Sequence, residues 1–154
     1  MISVTVNQRI AGGHGDLLLD LKPIGFSQVA DTYYFALDTA FMEKDESEDK
    51  VVLSLRHLLK CWFAAVSKLD RASVAYLPFD FSDQYIGCLR VEECEEENLM
   101  VSYGSTRKFE GSSFNPFDCD MFILSDKDYS KTTGAFICHK SIILASIKNS
   151  IDSI

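Results

Sequence analysis

The segment from residue 44 to residue 72 constrains the fold more than any other part of the chain. Its apolar side chains recur at the three- and four-residue spacing that places them on one face of an α-helix. The members of this stripe are Val51, Val52, Leu55, Leu58, Leu59, Trp62, Val66 and Leu69, widened by Phe63 and Ala65. Asp45 followed by Glu48 has the pattern of a capping box at the helix start. We therefore predict one helix of about twenty residues that packs its apolar face on a sheet.

Strand-like patterns lie on both sides of this helix. They combine period-two alternation with β-branched and aromatic residues. The candidate strands are residues 2–6, 17–21, 32–41, 74–77, 85–91, 99–103, 121–124 and 135–138. Turns are expected at residues 12–15, around Pro78 and at residues 92–98, and Ser141 is expected to cap a final amphipathic helix.

This order of elements predicts the α+β class. Strands that come in runs, with few helices between them, favour a mainly antiparallel sheet with one long helix packed on it and a C-terminal helix. No proline-rich or serine-rich linker, internal repeat or low-complexity tract interrupts the sequence. We therefore expect a single domain over residues 1–154.

The charge of the chain limits its partners. Its 23 Asp and Glu against 15 Lys and Arg give a formal net charge of −8 at pH 7. Such a balance disfavours direct binding of nucleic acid or of an anionic membrane, because few cations are available to neutralise phosphates. Residues 1–6 carry no signal-peptide pattern, and no apolar run has the length of a membrane span, so a cytoplasmic location is expected. An acidic surface instead suits a basic protein partner.

No motif predicts catalysis, a metal site or a cofactor. His14, His57 and His139 are the only histidines, and neither a nucleophile elbow nor a catalytic cysteine signature is present. The glycines of residues 12–15 lack the Lys and Ser or Thr of a phosphate-binding loop and indicate a turn instead. The five cysteines lack metal-ligand spacing and are expected to be reduced thiols. The prediction is therefore a protein without catalytic residues, cofactor or metal.

Two acidic clusters stand out. One lies at residues 43–49, around the start of the predicted helix. The other, which we call the acidic hairpin, spans residues 92–98 and contains five glutamates. A solvated turn that opposes aggregation is one interpretation of such a run, and a surface for a basic protein is the other. Asp80 and Asp83 allow two similar interpretations, turn chemistry or partner binding.

Short motifs in the centre of the chain resemble a known family. Residues 77–91 read Leu-Pro-Phe-Asp-Phe-Ser-Asp-Gln-Tyr-Ile-Gly-Cys-Leu-Arg-Val, residues 99–104 read Leu-Met-Val-Ser-Tyr-Gly, and Glu110-Gly111 precede Asn115-Pro116. This series is similar to the motifs of small bacterial immunity proteins encoded beside polymorphic toxins, including those of contact-dependent growth inhibition systems. The chain departs from their pattern at Ser112-Ser113, where a tryptophan is expected.

The resemblance implies a non-enzymatic cytoplasmic protein that binds and occludes a toxin domain, often a basic nuclease. We hypothesise an immunity protein that neutralises a nuclease or tRNase toxin by stoichiometric binding. A non-enzymatic adaptor or regulatory domain is the alternative, and a small cytosolic hydrolase is the third. Acidic side chains would speed association and aromatic anchors would supply affinity. The residues predicted to bind the partner are Asp80, Asp83, Tyr85, Glu92, Glu93, Glu95, Glu96 and Phe114.

Overall fold

The computed structural model describes residues 1–7, 9, 13–33, 48–110 and 122–154. The strands within these ranges are β1 (Ile2–Val6), β2 (Leu17–Leu21), β3 (Phe26–Ala30), β4 (Val74–Phe81), β5 (Ile86–Glu95), β6 (Asn98–Thr106) and β7 (Ser130–His139). The long helix is α1 (Glu48–Ser67), and the C-terminal helix is α2 (Lys140–Ser153). Short 3-10 turns cover Lys22–Ile24 and Asp126–Asp128.

The strands form two antiparallel meanders. The first sheet has the order β1-β2-β3 and the second has the order β4-β5-β6-β7, so within each sheet the strands pair in the order of the sequence. Tight connections between sequential strands favour this antiparallel pairing. The predicted α+β class, with antiparallel sheet, a long helix and a C-terminal helix, is confirmed.

Buried apolar side chains from both sheets and both helices form one cluster. The helical stripe predicted from the sequence supplies much of it. Its fully buried members are Leu55, Leu58, Leu59, Trp62 and Val66. The indole N–H of Trp62 also donates to the carbonyl of Pro78 at 2.9 Å, which ties α1 to β4. Ile143 and Ile147 add the buried face of α2.

The segment that runs from the Lys22–Ile24 turn through β3 crosses the second sheet. The turn contacts β7 at one edge of that sheet, whereas β3 contacts β4 at the other. On the way, the ring of Phe26 lies 5.1 Å from the ring of Tyr103. This crossing brings β3 close to the connection between β4 and β5.

The strands differ from the prediction at two places. β3 occupies residues 26–30, which were not predicted as a strand, whereas Thr32 and Tyr33 follow it and residues 34–41 lie outside the described residues. Gly25, with φ of 60°, reverses the chain ahead of β3, and no strong apolar run marks this strand. Residues 122–124 pair with no strand. Phe122 is buried and stacks on Phe109 at 5.4 Å, so its apolar character serves packing and not a ladder.

Two predicted boundaries also change. Pro78 lies inside β4, not in a turn, because β4 is an edge strand with a register shift between Pro78 and Asp80 that accommodates the missing N–H. The cap of α2 is His139 and not Ser141, since His139 Nδ1 accepts the backbone N–H of Ser141 at 3.3 Å. Asp45 of the predicted capping box lies outside the described residues.

Candidate partner-binding site

The residues predicted to bind a partner lie at opposite ends of β5. Asp80, Asp83 and Tyr85 surround the connection that precedes this strand, whereas the acidic hairpin follows its other end. A strand rises about 3.3 Å per residue, so these two groups are on the order of 20 Å apart. Phe114 lies outside the described residues. The predicted site is therefore two surfaces, and each has its own geometry.

Asp80 is a buried carboxylate at the end of β4. The residue is only 7% exposed. Its Oδ2 accepts from Gln28 Nε2 at 3.1 Å and from the Tyr85 hydroxyl at 3.3 Å. Among the residues that the structure describes, no basic side chain forms an ion pair with it. The negative charge is thus held by two neutral donors.

Burial raises the pKa of Asp80 to about 6, because the ionised form loses its hydration. The hydrogen bonds from Tyr85 and Gln28 oppose this rise, and the nearby carboxylate of Asp31 adds to it. In turn, the charge of Asp80 raises the pKa of the Tyr85 phenol. Among the described residues, no Lys or Arg forms an ion pair with either carboxylate, and His14 is the one partner of this kind that Asp31 has.

The Tyr103 hydroxyl lies beside Asp80. Tyr103 is 4% exposed, and its hydroxyl oxygen has no hydrogen-bond partner within the described residues. Gly87 on β5 leaves the room for this arrangement, because a Cβ there would overlap the Tyr103 hydroxyl oxygen and lie 2.9 Å from Asp80 Cβ. An unsatisfied buried hydroxyl costs about 1–3 kcal/mol, which a ligand that pairs with it would recover.

Asp31 extends the site towards the β1–β2 connection. Its Oδ2 lies 2.7 Å from His14 Nδ1, and its Oδ1 accepts the Gly15 N–H at 2.6 Å. The hydrogen bond from His14 lowers the pKa of Asp31. The His14 ring stacks on Tyr33 with centroids 5.0 Å apart. We call this acidic and aromatic surface the Asp80 patch; it consists of His14, Gln28, Asp31, Tyr33, Asp80 and Tyr85.

Ser82, not an aspartate, holds the β4–β5 connection. Its hydroxyl accepts the backbone N–H groups of Gln84 at 3.3 Å and Tyr85 at 3.1 Å, and it donates to the Tyr85 carbonyl at 2.8 Å. Asp83 is exposed in this turn. The interpretation of Asp80 as a turn residue is wrong, because its carboxylate bonds Gln28 and Tyr85 side chains. Asp80 therefore bonds one side chain across the connection and one side chain of β3.

The acidic hairpin forms the β5–β6 turn, as predicted. Glu96 and Glu97 are its two central residues, with φ of 48° and 63°. Both values lie in the left-handed region, where Asn-Gly is the favoured pair in two-residue hairpins. A non-glycine residue held there costs of order 1 kcal/mol. The sequence therefore keeps charged residues at positions where other residues would be more stable.

Three glutamates of the acidic hairpin form no ion pair within the part of the chain that the structure describes. Glu92 Oε2 lies 2.5 Å from Arg90 Nη1, and Glu97 Oε2 lies 3.5 Å from His139 Nε2. The remaining carboxylates form no ion pair with any described residue; they belong to Glu93, Glu95 and Glu96. Their charge is available to a cationic partner.

Asn at position 96 together with Gly at position 97 is expected to stabilise the protein by about 1 kcal/mol. The double variant Glu96→Asn, Glu97→Gly removes the backbone strain at both positions and loses only the exposed contact of Glu97 with His139, which is worth little. Urea unfolding monitored by circular dichroism measures the change. A less stable double variant would mean that these glutamates support the turn.

Glu97, His139 and Ser141 form a contact that superficially resembles a catalytic triad. The Ser141 hydroxyl lies 2.8 Å from His139 Nδ1, and His139 Nε2 lies 3.5 Å from the Glu97 carboxylate. The same Nδ1 accepts the backbone N–H of Ser141 at the first turn of α2. This lone pair is therefore engaged in capping the helix, and all three residues are exposed.

No family model matches the chain, and neither a curated protein nor a solved structure matches it. Over the ranges that the structure describes, no group of three or more His, Cys, Asp or Glu side chains is placed to hold a metal ion. None of the helices in those ranges is both long and apolar enough to cross a membrane.

Sequence reasoning identified Asp80 and Tyr85 but missed Gln28, Asp31 and Tyr103. Gln28 and Asp31 come near Asp80 because β3 crosses the second sheet, and Tyr103 of β6 comes near it across Gly87 of β5, so no local pattern encodes these contacts. One signal was available for Tyr103, which belongs to the Tyr-Gly pair of residues 103–104 in the motifs that resemble immunity proteins.

Proposed function

We propose that this chain is a non-enzymatic immunity protein that binds a basic toxin domain, a nuclease or tRNase, and neutralises it by stoichiometric occlusion. The observation that carries the proposal is the acidic hairpin, whose glutamates at positions 93, 95 and 96 have no ion pairs within the described chain. A cytoplasmic location is part of the proposal, because such a toxin acts on nucleic acid there.

The charge of the hairpin supports this function through association kinetics. Carboxylates on a protruding turn attract a basic surface over a Debye length, which is about 10 Å at 0.1 M salt. Aromatic side chains at the Asp80 patch offer the anchors on which affinity depends. Tyr85 and Tyr33 are 38% and 39% exposed, respectively. An interface of standard size covers about 800 Å² on each partner, enough to include residues from both surfaces.

Co-expression tests the proposal directly. The neighbouring open reading frame is expressed alone and together with this chain, growth is followed, and the complex is isolated by pull-down. We expect growth arrest without the chain, survival with it, and a one-to-one complex. Normal growth without the chain, or arrest in its presence, would contradict an immunity function and favour an adaptor.

Charge reversal at the acidic hairpin is expected to slow association with the toxin domain about tenfold at low salt. The variant replaces Glu93, Glu95 and Glu96 with lysine, and stopped-flow fluorescence measures the association rate at several salt concentrations. The difference is expected to shrink as salt screens the charges.

A control variant separates local charge from net charge. It reverses three exposed acids outside both surfaces, Asp70, Glu110 and Asp152, and so changes the net charge equally. We expect a much smaller effect from this variant. Equal slowing in the two variants would remove the acidic hairpin from the interface.

A further inference from the structure

We propose that the Asp80 patch is a receptor for one arginine side chain of the partner, whose guanidinium bonds the Asp80 carboxylate and the Tyr103 hydroxyl oxygen. The inference deepens the proposed function, since it rests on a basic protein as the partner.

The site contains two oxygens that can accept hydrogen bonds and lack partners among the described residues. Asp80 Oδ2 receives its two hydrogen bonds from neutral groups at 3.1 and 3.3 Å, and Oδ1 receives none from the described residues. The Tyr103 hydroxyl oxygen, which also accepts hydrogen bonds, is buried beside it without a partner in the described chain. A compact group with several N–H donors would bond both oxygens at once, and the Tyr103 O–H would remain free to donate to the Asp80 carboxylate.

Charge selects a cation for this position. Burial is the main cause of the raised pKa of Asp80, and the charge of the Asp31 carboxylate, which His14 already pairs, adds to it. An anion would add to the repulsion. A metal ion would lack ligands here, because the described residues contain no group of three or more His, Cys, Asp or Glu side chains placed to hold one. A positively charged donor relieves the repulsion and replaces the lost hydration.

Guanidinium fits this arrangement better than ammonium. It is planar and carries five N–H donors in a fixed fork. It is also the more weakly hydrated of the two cations, so its burial loses less hydration free energy. It also stacks on aromatic faces. Tyr85 supplies such a face, being 38% exposed and bonded to Asp80 through its hydroxyl. Because Tyr85 is exposed, its side chain can move to admit the guanidinium without disturbing the core.

The experiment uses small probes and needs no toxin. The full chain is titrated with N-acetyl-arginine amide and followed by the backbone amide signals of Gly87 and Tyr85 in NMR spectra. N-acetyl-citrulline amide, which has the same shape without charge, is the matched control ligand. We expect saturable shifts with the arginine compound, with a dissociation constant in the millimolar range typical of small fragments, and none with citrulline.

Two variants locate the binding. Asp80→Asn is expected to weaken arginine binding at least tenfold, and Tyr103→Phe about threefold because it removes one acceptor. Asp70→Asn makes the same chemical change at an exposed position elsewhere and is expected to bind as the parent does. Equal shifts from citrulline amide, no shift at Gly87, or unchanged binding by Asp80→Asn would each overturn the inference.

Binding must also follow the ionisation of Asp80. The titratable groups that face it are Asp31, Tyr85 and Tyr103, and Gln28 is its neutral donor. Its pKa of about 6 means that the carboxyl is protonated below that pH. Arginine binding at pH 5 is therefore expected to be about tenfold weaker than at pH 7.5. Binding that is constant over this range would contradict a role for the Asp80 carboxylate.

The arginine titration and the growth test examine different claims, so either can fail while the other succeeds. Absent arginine binding with intact protection from the toxin would overturn the receptor and leave the proposed function standing. Retained arginine binding without protection would overturn the proposed function and leave a guanidinium site on a protein of another role.

Discussion

Asp80→Asn is expected to stabilise the protein by about 3 kcal/mol at pH 7.5. The pKa of the folded-state carboxyl is about 6, against an ordinary value of 3.8, so the buried charge opposes folding at neutral pH. Each pKa unit corresponds to about 1.4 kcal/mol. Asparagine removes the charge and keeps an oxygen that can accept from Gln28 Nε2 and the Tyr85 hydroxyl.

The stabilisation by this substitution must depend on pH. Because folding raises the pKa of Asp80, the parent protein binds a proton more tightly when folded and gains stability as the pH falls through about 6. Below pH 3.8 the Asp80 carboxyl is protonated in both the folded and the unfolded state. Its charge then no longer contributes to the difference in stability between the parent protein and the Asp80→Asn variant. The advantage of Asp80→Asn is therefore greatest above pH 7 and declines between about pH 6 and pH 4.

Urea unfolding of both proteins at a series of pH values measures this difference. Asp70→Asn serves as the control, since Asp70 is exposed and an exposed change of this kind is expected to alter stability by less than about 0.5 kcal/mol. A destabilised Asp80→Asn protein at neutral pH would mean that the hydrogen bonds to the carboxylate outweigh its loss of hydration.

A stabilising substitution at Asp80 has a functional meaning. Binding sites often retain groups that cost stability, because the partner supplies the missing interactions. Asp80 and the glutamates of the hairpin turn both have this character: one is a buried charge without a cation in the described chain, and the others occupy left-handed backbone positions. Two unrelated kinds of local cost thus coincide with the two surfaces proposed to meet the partner.

Local sequence patterns predicted the elements that depend on local physics. The apolar stripe of α1 predicted both the helix and its buried side chains, since helical periodicity and burial on one face are the same signal. The hairpin at residues 92–98 followed from a polar run between two strands. β3 escaped prediction because its five residues contain only weak alternation, and its position depends on contact with β4.

The candidate site was predictable only in part, for the same reason. Asp80 and Tyr85 are five residues apart across a short turn, so their proximity is a local property. Gln28 and Tyr103 belong to elements that are distant in sequence from Asp80. The burial that raises the pKa of Asp80 arises from tertiary packing. The length of β5, longer than predicted, places the acidic hairpin far from Asp80, which the sequence alone did not reveal.

Gly104→Ala is expected to destabilise the protein by about 3 kcal/mol, at the upper end of the cost of overpacking. Gly104 lies in β6 beside a register shift and pairs with Lys131 of β7. An added Cβ would overlap the Ser130 carbonyl oxygen and lie 2.6 Å from Tyr129 Cζ. The first neighbour is backbone, so relief of the clash requires β7 to move away from β6.

The glycine is needed here for space and not for backbone conformation, and a second glycine gives the matched control. Gly134 lies in β7 with nothing within 4 Å of an added Cβ, so Gly134→Ala is expected to change stability by less than about 0.5 kcal/mol. Thermal and urea unfolding compare the two variants. Similar stabilities would mean that β7 shifts freely. We do not expect that outcome, because β7 leads directly into α2. Ile143 and Ile147 of α2 are buried in the core, so a displacement of β7 would disturb their packing.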